Sequence, residues 1–201
     1  MPLLLSKPIH KTAAYAVWNI QETNQMLLDL IEEETPAGLH PTKLAEWIVG
    51  RILIKSLATQ YGISYQGVAK HETGKPFLKG SDAEISISNS FPMAAALIDL
   101  KKPCGIDLER TRSKLIRISD KFINESEKEY AKDLGKLCAI WCGKEVLYKI
   151  HGRKKLSMKE DTSIEFVSDD VMTGYIHAGK YQSKHRIHYE PVKDFYLAYS
   201  L

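Results

Sequence analysis

Apolar positions recur at helical spacing most clearly in HPTKLAEWIVGRILIKSLATQYG, His40 to Gly62. Leu44, Trp47, Ile48, Ile52 and Leu57 make the stripe, Thr42 is placed to cap it, and Gly62 to stop it. Its polar face carries Arg51 and Lys55, one turn apart. A second helical pattern, NQMLLDLIEEE, ends at the Thr35–Pro36–Ala37–Gly38 break. The aromatic and β-branched AYAVWNI (Ala14 to Ile20) reads as a strand. AEISISNS alternates, Ile85 and Ile87 to one side and Ser86 and Ser88 to the other, MAAALIDL is apolar throughout, and CGIDLER follows the KKP turn.

In the second half, FINESEKEYAKDLGKLCAIWCGKEVLYKIHG predicts helices, with Leu137, Ile140, Trp141, Leu147, Tyr148 and Ile150 apolar, Ser126 before an acidic first turn and Gly152 at the end. SIEFV, TGYIHAG, HRIHYE and FYLAYSL then read as strands. The same order in both halves, helix first and strands after, predicts an α+β chain built as a pseudo-duplicate, with an N-terminal half at 1–102 and a C-terminal half at 103–201. No residue-level repeat accompanies it.

The 201 residues can bury a substantial core, and 28 basic against 25 acidic residues is too balanced for a nucleic-acid binder. The densest basic cluster is GRKKLSMK from Gly152. No apolar run is long enough to cross a membrane, and MPLLLSKPIHK lacks the features of a secretory leader, so a cytoplasmic location is expected. Cys104, Cys138 and Cys142 form no C-x-x-C, and their odd number argues against a disulfide framework; Cys138 and Cys142 are one helical turn apart, but with no H-x-x-x-H beside them they read as buried thiols rather than a metal pair.

The chemistry gathers in two stretches. In CGIDLER, Asp107 and Glu109 stand two apart and share a strand face, while Ile106 and Leu108 face away. Two like charges side by side are either solvated or wait for a cation. In WCGKEVLYK, Trp141, Glu145 and Lys149 are spaced i, i+4, i+8 on one stripe, flanked by Lys144; the bland reading is a solvated Glu–Lys pair. Together Asp107, Glu109 and Glu145 make a hard-oxygen set suited to Mg²⁺. Lys75, on the Gly74–Lys75–Pro76 turn expected to throw it outward, would join Lys149, Arg51 and Lys55 in neutralising an anionic substrate. Mg²⁺ with lysines points to phosphoryl or pyrophosphate chemistry.

The pair G-I-D-x-E at Gly105 to Glu109 and W-x-x-K-E-x-x-x-K at Trp141 to Lys149 resembles the signature of the 4'-phosphopantetheinyl transferase superfamily, in particular its larger, surfactin-synthetase-activating type. The Gly74–Pro76 turn, the ISISNS strand, Phe122 and Glu127 stand in matching order. The resemblance implies two similar α+β halves as a pseudo-dimer, with the active site and coenzyme A in the cleft between them. It implies transfer of the phosphopantetheine arm of coenzyme A to a serine of an acyl or peptidyl carrier protein, with release of adenosine 3',5'-bisphosphate. By position, Asp107, Glu109 and Glu145 would hold Mg²⁺ and Lys149 would meet the phosphates. Lys75, Pro76, Ser88, Asn89, Lys144 and Arg51 would contact coenzyme A. Glu145 and Glu127 are both candidates for taking the serine proton. Two fused halves complete the site within one chain, which predicts a monomer.

One position departs from the family: Asn89 stands in Ser88–Asn89–Ser90 where Ser-His-Ser is usual. Asparagine donates a hydrogen bond to phosphate but carries no charge, and charge-assisted bonds are about twice as strong. That motivates an alternative, a non-catalytic binder of coenzyme A or carrier protein. A metal-dependent phosphodiesterase using the same acids is a third reading.

Overall fold

The computed structural model describes residues 3–152 and 155–201. Arg153 and Lys154, the centre of the basic GRKKLSMK cluster, lie outside the described residues. The chain is α+β and divides into two compact units, 1–104 and 105–201.

The first unit opens with strands β1 (Leu3–His10) and β2 (Ala13–Asn19), then helices α1 (Asn24–Leu28) and α2 (Pro41–Gln60). Strands β3 (Val68–Lys70), β4 (Pro76–Leu78), β5 (Glu84–Ser90) and β6 (Met93–Asp99) complete it. Four strands form an antiparallel sheet in the order β1-β2-β6-β5, and β3 pairs with β4 apart from it. The expected order, helix then strands, is corrected here: two strands precede the helices.

α2 lies on this sheet over small side chains. Ala16 pairs with Ala96 and Trp18 with Ala94, and all four pack in one core with Ile48, Leu53, Ile54 and Leu57 of the helix. The alternate positions Tyr15, Val17, Ala95 and Leu97 are buried too. The cap of α2 is His40, whose ring accepts from the Thr42 amide, so Thr42 is inside the helix rather than its cap. Gly62 follows the helix end with φ of 69°, a left-handed conformation that favours glycine.

The second unit starts on β7 (Ile106–Arg110), passes α3 (Lys114–Ile118) and several 3-10 turns, and builds α4 (Leu134–Ile150). Strands β8 (Thr162–Phe166), β9 (Val171–Ala178), β10 (Tyr181–Val192) and β11 (Phe195–Ser200) follow. All five strands make one antiparallel sheet in the order β7-β11-β10-β9-β8, with β7 at the edge. Asp133 caps α4 by accepting from the Lys136 amide. The acidic stretch around Ser126 forms 3-10 turns instead of the first turn of a long helix.

α4 packs closely on one face of this sheet. Leu137, Ile140, Val146, Leu147 and Ile150 share a core with Ile164, Met172, Ile176, Ile187 and Ala198. The approach needs glycine at two places. A Cβ on Gly105 would stand 2.6 Å from the Val146 carbonyl oxygen, and one on Gly143 would stand 2.8 Å from Met172 Cε. On the opposite face Ile106, Leu108 and Leu197 are fully buried.

Candidate active site around helix α4

The register of β7 decides where its acids point. Asp107 pairs with Ala198, which belongs to the core under α4, and Gly105, two residues earlier, touches the backbone of α4. Asp107 and Glu109 therefore face the helix, while Ile106 and Leu108 face away, as strand alternation requires.

A lysine of α4 meets them. The Lys149 ammonium lies 2.7 Å from Asp107 Oδ1 and donates to the Ile106 carbonyl at 2.8 Å. Both side chains are buried, at 7 % and 3 % exposure, so the pair is far from a solvated surface contact. The two motif stretches thus join through one charge-assisted hydrogen bond. Glu145, one turn before Lys149, is half-buried, as are Trp141 and Glu109.

Glu127 and Lys144 are both fully enclosed. Lys144 Nζ lies 2.7 Å from Glu127 Oε2 and donates to the carbonyls of Phe122, Met158 and Thr162 at 2.6, 2.8 and 3.1 Å. Glu127 also accepts from the amides of Asn124 and Ile164. Burial lowers the Lys144 pKa, and Glu127 opposes that shift. The pair ties the 122–127 segment, the turn before β8 and β8 itself to α4. Neither side chain reaches a surface where a substrate would lie.

The cations of the first unit are also engaged locally. Lys75 is not thrown outward: its ammonium lies 2.6 Å from Glu84 and its side chain is 16 % exposed. Arg51 stacks over Trp47, 3.5 Å from ring centre to guanidinium carbon, and contacts Glu33 at 3.4 Å. Burial lowers its pKa against the pull of Glu33. Tyr65 donates to the same Glu33, and burial pushes its phenol pKa up. Lys55 pairs with Glu32 at 3.8 Å. Pro76 and Ser88 are buried and Asn89 is exposed beside Ser88.

Glu33, Glu84 and the carbonyls of Phe122, Met158 and Thr162 were not foreseen as partners. An acid in a helical run gives no sign of folding back onto a later helix, and a carbonyl acceptor leaves no trace in residue type. Also unforeseen is a cleft of about 570 Å³ on the second unit, lined by Lys114, Ile118, Lys121, Phe122, Trp141, Ser157 and Met158.

The fit to a divalent cation rests on donor chemistry. Among the described residues no three His, Cys, Asp or Glu side chains gather as a ready-made cage. Mg²⁺ does not require one, because it keeps waters and takes substrate phosphates beside one or two carboxylates. Asp107 and Glu109, on the strand face turned toward the helix that carries Glu145, suit such an open site.

The second unit is thus an antiparallel sheet under one long helix, with strand acids and a helix lysine joined in a buried ion pair. Residues 103–200 match the family model of the 4'-phosphopantetheinyl transferase superfamily, a span that includes both motif stretches. No curated protein matches the chain. No helix among the described residues is long and apolar enough to cross a membrane.

Proposed function

We propose that the chain transfers the 4'-phosphopantetheine arm of coenzyme A to a serine of an acyl or peptidyl carrier protein, as a transferase of the larger, surfactin-synthetase-activating type. The observation that supports this most is the 2.7 Å Asp107–Lys149 contact, which unites the two signature stretches inside the matched region.

In the proposed reaction the serine hydroxyl oxygen attacks the phosphorus that carries the pantetheine arm. The bond from that phosphorus to the bridging oxygen breaks, and adenosine 3',5'-bisphosphate leaves with the electron pair. Mg²⁺, held by Asp107, Glu109 and Glu145 together with the substrate phosphates, would neutralise charge on the pyrophosphate. Lys149 sets a positive charge beside Asp107, where negative charge builds on the leaving phosphate. The serine proton goes to a carboxylate. Glu145 is assigned that part because it is half-buried on α4, whereas Glu127 is fully enclosed and saturated by Lys144 and two amides.

Contacts from Lys75, Pro76, Ser88 and Asn89 to coenzyme A belong to the same proposal. Lys144 and Arg51 are left out of the ligand set and assigned to the interior, on the strength of their partners. Intact-mass analysis of apo carrier proteins after incubation with the chain, coenzyme A and Mg²⁺ tests the reading. A gain of one phosphopantetheine is expected. Coenzyme A binding with no mass gain on any carrier would favour the non-catalytic alternative.

A further inference from the structure

Besides the pyrophosphate that breaks, coenzyme A carries a third phosphate on its ribose 3' oxygen. A phosphate gains most from a cation free to give it charge-assisted hydrogen bonds. Lys75, Pro76, Ser88 and Asn89 are the residues of the first unit proposed to meet the coenzyme, and Lys75 alone among them is charged. Its ammonium is already held 2.6 Å from Glu84, with the two side chains 16 % and 33 % exposed. Glu84 is the register partner of Asp99, so a second, buried carboxylate shares that face of the sheet, with His10 at 3.6 Å from it.

Asn89 adds a hydrogen-bond donor but no charge. It is exposed on β5, on the strand face of Ile85 and Ile87, which pack with α2. Two residues further on, the Phe91 amide donates to Glu46 at 3.2 Å, and Glu46 holds Lys43 at 2.6 Å. The other cations of α2 are engaged in the same way, Arg51 with Glu33 and Lys55 with Glu32. Every cation of α2 therefore already faces a carboxylate. Lys70, opposite Pro76 in the β3–β4 register, is exposed, and there salt screening and the ordering of a long side chain leave an ionic contact worth little.

We propose that this chain binds coenzyme A with little regard for the 3'-phosphate, and accepts 3'-dephospho-coenzyme A as a phosphopantetheine donor nearly as well. The inference rests on the transferase reading for the coenzyme and its contacts. Lys75 and Glu84 meet the nucleotide as a neutral pair, and Asn89 meets it as a neutral donor. The bonds are the same with either donor. The serine oxygen bonds to the phosphorus that carries the pantetheine arm, the bond from that phosphorus to the bridging oxygen breaks, and the serine proton goes to the carboxylate. Only the leaving group that takes the electron pair changes, from adenosine 3',5'-bisphosphate to adenosine 5'-phosphate.

The test uses the full chain with Mg²⁺ and each nucleotide in turn. Calorimetric titration reads binding, and intact mass of an apo carrier protein reads transfer. The two dissociation constants are expected to lie within about threefold of each other, where a free cation on the third phosphate would separate them by about tenfold or more. Glu84→Gln releases Lys75 from its counter-charge, and Asn89→Lys supplies a cation at an exposed strand position. Each variant, with an unchanged circular dichroism spectrum, is expected to tighten coenzyme A by about tenfold and to move the 3'-dephospho form by less than about threefold.

A preference of the unaltered chain for coenzyme A of about tenfold or more, or an unchanged ratio in both folded variants, would overturn the inference. Binding of neither nucleotide would do the same. Mass gain from coenzyme A alongside any of those results would leave the transferase reading standing. Near-equal binding that separates in the variants, with no mass gain from either donor, would support the inference on recognition and overturn the transferase reading alone.

Discussion

A lysine with no exposed side-chain surface must find acceptors for all three ammonium protons and a counter-charge, and Lys144 does both: Glu127 and three carbonyls surround it. A buried pair is costly to assemble and far costlier to break on one side. Lys144→Met, which leaves Glu127 enclosed without its counter-charge, is expected to lower stability by about 3–5 kcal/mol in urea denaturation. The double variant Glu127→Gln, Lys144→Met is expected to recover more than half of that loss. If Lys144 were instead a coenzyme A ligand, the single variant would unfold normally and lose only substrate affinity. At this scale the sequence was a partial guide. The spacing of Trp141, Glu145 and Lys149 placed them on one stripe, and Asp107 and Glu109 on one strand face. Residue type could not tell that both helix lysines turn inward, Lys144 to Glu127 and three carbonyls and Lys149 to Asp107 and the Ile106 carbonyl.

Elements owe their positions to close approach. α4 rests against β7 where Gly105 lets the Val146 carbonyl in, and any larger side chain would push the strand acids away from Lys149. Gly105→Ala is expected to cost about 1–3 kcal/mol by overpacking. Because it moves the site as well as the core, kcat should fall further than the remaining folded fraction accounts for, which activity corrected by circular dichroism would show. The cysteines report on the same packing. Cys104, Cys138 and Cys142 are buried and free, and burial pushes the Cys104 and Cys142 thiols well above their ordinary pKa. The native chain is therefore expected to resist a thiol-labelling reagent near neutral pH, and to take up three equivalents once unfolded. Rapid labelling of one thiol in the native state would place it outside the core.

The long helices and the β8–β11 strands were legible because their apolar spacing and turn residues agreed with the structure's own periods. The short elements β3, β4 and α3 were not, and neither were β1 and the true extent of α1. β1 (Leu3–His10) begins in a stretch whose pattern announced no strand, and it becomes one by pairing with β2. The helical run Asn24 to Glu34 stops at Leu28, and Glu33 folds back to Arg51 and Tyr65. Tertiary partners won over local helix propensity in the second place, and strand pairing supplied what the pattern lacked in the first.

At the scale of the whole molecule, both halves place an antiparallel sheet under one long helix, α2 in the first unit and α4 in the second. Ile106 and Leu108 are buried on the face of β7 turned away from α4, as alternation predicted, yet Asp107 is buried on the other face as well. A pattern read one strand at a time cannot show that a second face is also covered. The acids and lysines of the second unit fall inside the span that matches the transferase superfamily, and the central claim is that they act in phosphopantetheine transfer. Intact-mass measurement of apo carrier proteins, with coenzyme A and Mg²⁺, tests this most directly when run on the unaltered chain beside Asp107→Ala and Glu145→Ala. The account predicts a gain of one phosphopantetheine with the unaltered chain, its loss on chelating Mg²⁺, and a fall of at least about 10²-fold in rate for either folded variant. Full-rate modification by either variant would contradict it.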